Sequence, residues 1–225
     1  MSGTPKRAFV VRWIAAVTVG ETLGFAVAAT VAVAVTAVGP ALNAWAAYAM
    51  IVAGGAVEGA LLGVAQRWGA GWAQLGPAWV AATSGGAALA WSLGMLPSTI
   101  GVDLRNPVGI AALVAGGLVL LGSIPTAQWM ALHRRGTARW IPVTMGAWAV
   151  AILWTAAPSP IIDEHTSAGL IVVAYVCAGV LMAVTIAALT APTAASLFAP
   201  TMSFPRPDGG VPPSRWPVAG GSPRA

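Results

Sequence analysis

The sequence predicts an all-α, polytopic membrane protein of six transmembrane helices, and three observations predict it. Long apolar runs succeed one another through most of the chain. Charged residues make up only 8% of the 225 residues, against 58% hydrophobic. Almost every Lys and Arg falls at one end of these runs, in alternating fashion. A soluble surface needs about a quarter of its residues charged, so the composition argues strongly against a soluble domain.

A helix needs about 20 apolar residues to cross the hydrocarbon core. Runs of that kind, bounded by charge, Pro or Gly, cover residues 13–38, 45–66, 77–96, 108–132, 140–157 and 167–191. The first follows Lys6, Arg7 and Arg12 as a signal peptide would, but it is about twice as long as a cleavable apolar core, so it is expected to stay as a signal anchor. The second is tied to it by the short loop 39–43 and ends at Arg67. The third starts at Pro77. The fourth stops ahead of His133, Arg134 and Arg135, and the fifth is the shortest. Beyond the sixth, Pro200, Pro205, Pro207, Pro212, Pro213 and Pro217 break any regular element. The chain thus divides into a membrane domain, 1–192, and a Pro/Gly-rich tail, 193–225, expected to be disordered.

Cytoplasmic loops retain positive charge during insertion. With the amino terminus inside, ten of the eleven Lys and Arg residues are cytoplasmic and only Arg105 is external. Asp103, Asp163 and Glu164 fall on external loops. An even number of spans places both termini in the cytoplasm, and the Ala, Gly and Val bias fits a high-GC bacterial genome, so a bacterial plasma membrane is the expected location. Trp13, Trp45, Trp68, Trp72, Trp79 and Trp140 stand near the proposed ends, as an interfacial aromatic belt would, with a share of them packed in the bundle instead. The net charge of +5 is dispersed over several loops rather than gathered in a basic motif, which argues against nucleic acid. The partner is the lipid bilayer, with Arg134, Arg135 and Arg139 the best placed for headgroups. Cys177, the only cysteine, has no disulfide partner in the chain.

A hairpin order recurs. Gly59 to Trp68 leads through a turn to the stretch from Pro77 to Trp91, and Gly122 to Trp129 leads through a basic turn to the stretch from Pro142 to Trp154. Gln66 aligns with Gln128, Pro77 with Pro142, and Trp91 with Trp154. Both hairpins would turn on the same face, so this is a parallel repeat. With Gly59, Gly63 and Gln66 in the first copy, and Gln128, Trp129, Leu132, Arg134 and Arg135 in the second, the segment 55–155 resembles a group of bacterial multi-pass membrane proteins. Their hairpins read Gly-x-x-x-Gly-x-x-Gln-Trp. Arg67 intervenes before Trp68 in the first copy, and Ser123 to Thr126 depart from the glycine spacing in the second. The resemblance implies a fold of membrane hairpins and carries no activity with it.

Four polar side chains stand within or at the ends of the runs. Glu21 lies nine residues after Arg12 and Glu58 nine before Arg67, on helices running in opposite directions, which puts both roughly 13 Å from the basic end. With the first two runs neighbours, their carboxyls can meet. No Lys, Arg or His lies within a run to neutralise them, and an isolated buried carboxylate is costly. The pair must therefore be protonated and hydrogen-bonded, share a proton, or face water. Thr83, Ser84, Ser123 and Thr144 fall in the same half. Gln66 and Gln128 sit near the basic end, where an amide bridges helices. Gly55, Gly59 and Gly63 put three small residues on one helix face, suited to close packing against another span or another subunit.

Enzyme chemistry finds no support. His133 and His165 both occupy loops, out of reach of Ser84, and all aspartates lie outside the runs. Asp163, Glu164 and His165 are consecutive loop residues that do not converge on a metal, and no cofactor is implied. Two functions remain: a small transport or permeation protein using Glu21 and Glu58, or a non-catalytic membrane scaffold that engages a membrane-protein partner or a second copy through its glycine faces.

Overall fold

The computed structural model describes residues 4–103, 105–163 and 165–200, and among these no strand forms. Helices fill each apolar run: α1 (Thr4–Val38), α2 (Ala44–Ala70), α3 (Pro77–Ile100), α4 (Pro107–Leu132), α5 (Trp140–Ala151), α6 (Leu153–Ala156) and α7 (Ala168–Phe198). Their starts follow ordinary capping. Asn43 accepts from the Ala46 amide at 2.8 Å and Asn106 from the Val108 amide at 2.9 Å, while Pro77 and Pro107 occupy first-turn positions where a missing N–H costs nothing. Gly101, at φ 71°, closes α3 in the left-handed conformation that glycine adopts without penalty.

Four of these helices are long and apolar enough to cross a membrane: Lys6–Val38, Ala44–Ala70, Pro107–Leu132 and Gly169–Phe198. Four such helices are shown, against the six expected. α3 has 24 residues, but Thr83, Ser84, Ser92, Ser98 and Thr99 dilute its apolar content. The fifth run breaks at Ile152, and the stretch Trp140–Ala156 is short.

The boundary expected at residue 192 also moves. α7 continues through Pro192 to Phe198, and Phe198 is buried. Proline forfeits one helical hydrogen bond, but continuing the helix delivers Phe198 into an aromatic cluster. Pro97 and Pro125 are likewise carried inside α3 and α4. The rest of the proposed tail, with Arg206, Asp208, Arg215 and Arg224, lies outside the described residues.

Each helix packs on its sequence neighbour, and α7 returns to α1 as well as to α5 and α6, closing a ring around a central space. Glycines set the close approaches. A Cβ on Gly20 would collide with Ala65, and one on Gly24 would stand 3.0 Å from Glu58 Cγ, so α1 and α2 meet backbone to backbone beside the carboxyls. The face formed by Gly55, Gly59 and Gly63 is taken by α3. A Cβ there would strike the Trp91 ring, the Ala87 methyl, and Val80 Cα at 3.0 Å, respectively.

The buried core gathers at the basic end of the ring. Trp13, Trp79, Trp140 and Phe198 contact one another there, with ring centroids 5.7–6.1 Å apart, and Phe9 stacks on Trp13. The outward faces stay apolar: Val19, Val114 and Val172 are all well exposed. An apolar exterior around a polar-bearing interior is the arrangement a lipid environment requires.

Candidate functional site

The two glutamates come together inside the ring. Glu21 of α1 is fully buried and Glu58 of α2 is 6% exposed, and the carboxyls are direct neighbours. Trp91 of α3 donates its indole N–H to Glu58 Oε2 at 2.7 Å. Neither oxygen of Glu21 has a hydrogen-bond donor among the described residues, and the hydroxyls of Thr18 and Thr22 on the same helix also lack a partner. The Glu58 carboxyl can donate to Glu21 only when it carries a proton, so one proton held between them would serve both groups.

The pair borders a cavity of about 370 Å³, to which all seven helices except the packed ends contribute residues. Its walls are mainly apolar. Phe25, Trp91, Trp148 and Tyr175 supply aromatic faces, and Leu62, Leu120 and Ile124 aliphatic ones. No Lys, Arg or His lines it. Ile152 and Tyr175, each 41% exposed, line it in the half of the ring away from the basic end.

Toward the basic end a second polar layer closes the ring. Gln128 Nε2 donates to Gln66 Oε1 and to Thr83 Oγ1, both at 2.9 Å. Gln66 Oε1 accepts from Trp79 Nε1 at 2.8 Å, and Gln128 Oε1 from Trp140 Nε1 at 2.9 Å. Trp13 completes the set by donating to Thr190 Oγ1 at 3.2 Å. Each hairpin therefore makes the same bond, from the Trp that opens its second helix to the Gln that closes its first. These bonds pair Trp79 with Trp140, whereas the proline alignment does not: Trp79 stands two residues after Pro77, and Trp140 two before Pro142.

These bonds correct the aromatic-belt reading for three tryptophans. Trp13, Trp79 and Trp140 are buried, because each indole has a polar partner inside the ring, while Trp45, Trp68 and Trp72 remain more than half exposed. The polar layer imagined around the glutamates also differs. Thr83 donates to the Trp79 carbonyl, Ser84 to the Ala56 carbonyl, and Ser123 to the Leu120 carbonyl. Thr144 has no partner among the described residues. None of the four hydroxyls bonds a glutamate; Trp91, which sequence reasoning noted only as a repeat position, does.

Among the described residues every arginine but Arg105 stays at the basic end, and two of them serve the backbone there. Arg12 Nε donates to the Gly69 carbonyl at 2.8 Å, in the last turn of α2, where carbonyls have no helical partner. Arg67 Nε donates to the Leu75 carbonyl at 2.7 Å and its guanidinium lies over Trp72 at 4.7 Å. Arg134 and Arg135 are exposed in the turn between α4 and α5, and Arg139 donates to Ser196 Oγ at 2.9 Å. At the opposite end, Asp163 accepts from the Thr166 hydroxyl at 2.7 Å and from the His165 amide at 3.0 Å. The Thr166 bond, followed by the His165 bond, holds its carboxyl below the ordinary aspartate range. Glu164 lies outside the described residues, and no metal-binding cluster occurs among those described. No family model matches the chain, and neither a curated protein nor a solved structure does.

Proposed function

We propose that the chain is a small, non-catalytic transport or permeation protein of a bacterial plasma membrane, in which Glu21 and Glu58 form the working pair. In this reading six helical segments span the bilayer with both termini in the cytoplasm, and the repeated Gln-to-Trp bond reflects a duplicated hairpin. The observation that carries the reading is the pairing of two buried carboxyls at the wall of a central cavity of about 370 Å³. Intramembrane carboxyls are expensive to bury and mark ion or proton paths. The cavity lies in the half of the ring away from the basic end, while the Trp-Gln layer and Phe198 fill the other half, which suits a site reached from one side.

The scaffold alternative loses its main support, since the face of Gly55, Gly59 and Gly63 is occupied by α3 within the same chain. Lipid headgroups remain the natural contact of Arg134, Arg135 and Arg139. The test is proton flux in liposomes under an imposed gradient. Wild type is expected to conduct, and Glu58→Gln, which keeps an acceptor for Trp91, to fold normally and lose flux. Equal flux from both would remove the glutamates from the mechanism.

A further inference from the structure

The cavity also restricts what the site takes. Its walls combine a carboxyl pair with an otherwise apolar, aromatic-rich lining, and no cationic side chain answers the carboxyls. Glu21, fully buried, keeps both oxygens out of reach of the cavity and without a donor among the described residues, so Glu58, 6% exposed, is the carboxyl that the cavity meets and Glu21 adds its charge from within the wall. Each ligand class meets a different physical test here. An anion is repelled by the pair. A hard divalent cation needs about six or more oxygen ligands to replace its water, and the side chains that line the cavity offer only the carboxyls and the Thr155 and Tyr175 hydroxyls, with Glu58 already engaged by Trp91. A neutral apolar molecule fits the walls but leaves the carboxyls unanswered. An organic cation with an apolar envelope satisfies both features: its diffuse charge needs no full oxygen shell, the aromatic faces attract it through their quadrupoles, and its apolar surface replaces water along the walls.

Resting on the transport reading of this site, we infer that the cavity between Glu21, Glu58 and Trp91 binds lipophilic organic cations, such as quaternary ammonium or phosphonium compounds. The carboxyl pair supplies the charge, and Trp91, Trp148, Phe25 and Tyr175 supply the aromatic contacts. Trp91 also orients Glu58, so it holds the counter-charge in place.

The test uses the full chain in detergent and two probes of one shape and opposite charge, tetraphenylphosphonium and tetraphenylborate, measured by equilibrium dialysis against protein-free micelles. The phosphonium is expected to bind and the borate not. Glu21→Gln and Glu58→Gln should each weaken phosphonium binding at least tenfold at unchanged melting temperature. Gly94→Leu provides an independent variant. A Cβ at Gly94 meets only Leu120 Cδ1, at 3.6 Å, and Gly94 borders both this cavity and the one beside Leu93 and Ile100, so leucine is accommodated there and should narrow the site and weaken binding with both carboxyls intact. Borate binding as tight as phosphonium, or wild-type affinity in both glutamine variants, overturns the inference. Glutamate-dependent proton flux in a protein that binds no phosphonium sinks this inference and leaves the transport reading standing. Glutamate-dependent phosphonium binding without flux of proton or phosphonium supports the binding site and removes the transport reading.

Discussion

Replacing Gln128 by leucine isolates the contribution of the polar layer at the basic end of the ring. The side chain makes three hydrogen bonds, to Gln66, Thr83 and Trp140, but their loss is unequal. Gln66 Oε1 keeps its bond from Trp79, and Thr83 still donates to the Trp79 carbonyl. Only the Trp140 indole N–H, on a fully buried residue, is left without a partner. Leucine fills nearly the same volume, so the cavity contribution is small. The expected loss is the penalty for one orphaned donor, about 1–3 kcal/mol, rather than three times that.

Thermal or denaturant unfolding in detergent measures the loss, and a double-mutant cycle with Trp140→Phe identifies its source. Phenylalanine removes the donor while keeping an aromatic ring against Trp13, Trp79 and Phe198. Gln128→Leu should then cost less in the Trp140→Phe background, by about 0.6–2 kcal/mol, the range for hydrogen bonds between membrane helices. Strictly additive losses would show that the bond carries no stability and that packing alone accounts for the layer.

Three further outcomes are expected. Gly59→Leu should unfold or misassemble the ring, because even a Cβ would collide with Ala87 and stand 2.7 Å from the Thr83 carbonyl oxygen; Gly85→Ala, with open space around it, should be neutral or stabilising by up to about 1 kcal/mol, as detergent melting would show. Reporter fusions after Arg67 and Arg139 should read cytoplasmic and those after Arg105 and Asp163 external, and one reversed hairpin would defeat the six-span reading. The depressed Asp163 carboxyl should stabilise its loop at pH above the unfolded aspartate value of about 3.9, an effect lost as pH falls through the folded value. NMR titration of Thr166→Ala should find that carboxyl returned toward the ordinary range, and an unmoved titration would exclude the Thr166 bond as the cause.

The helical elements were legible because the apolar runs are long and their ends are marked by charge and proline. The meeting of Glu21 and Glu58 was legible for a geometric reason. Equal spacing from Arg12 and Arg67 on antiparallel helices fixes a common depth, and the short loop 39–43 makes those helices neighbours. What sequence spacing cannot supply is the direction in which a side chain points around its helix. Trp79 and Trp45 both stand near helix ends, yet one is buried against Gln66 and the other 59% exposed. The difference lies in whether a polar group on the next helix meets the indole N–H, and that depends on packing.

Pro192 misled for a related reason. A proline marks a helix end only when nothing beyond it repays continuation, since its local cost is one hydrogen bond and a steric clash of about 3 kcal/mol in an isolated helix interior. Here the following residues carry Phe198 onto Trp13, Trp79 and Trp140. Burial of a phenylalanine among three large rings offsets a penalty of that size, as losses of about 3–5 kcal/mol on truncating such residues indicate. Trp13, Trp79 and Trp140 each donate to a polar group in the ring, so the residue that extends α7 also covers the Gln66–Gln128 layer. Helix length at the end of the chain and closure of the cavity's basic side are thus set by the same packed side chains. Phe198→Ala tests that link: it should lower the melting temperature and expose the layer to hydrogen exchange at the Trp79 and Trp140 indoles, whereas a fall in stability with both indoles still protected would show that the helix end and the closure are independent.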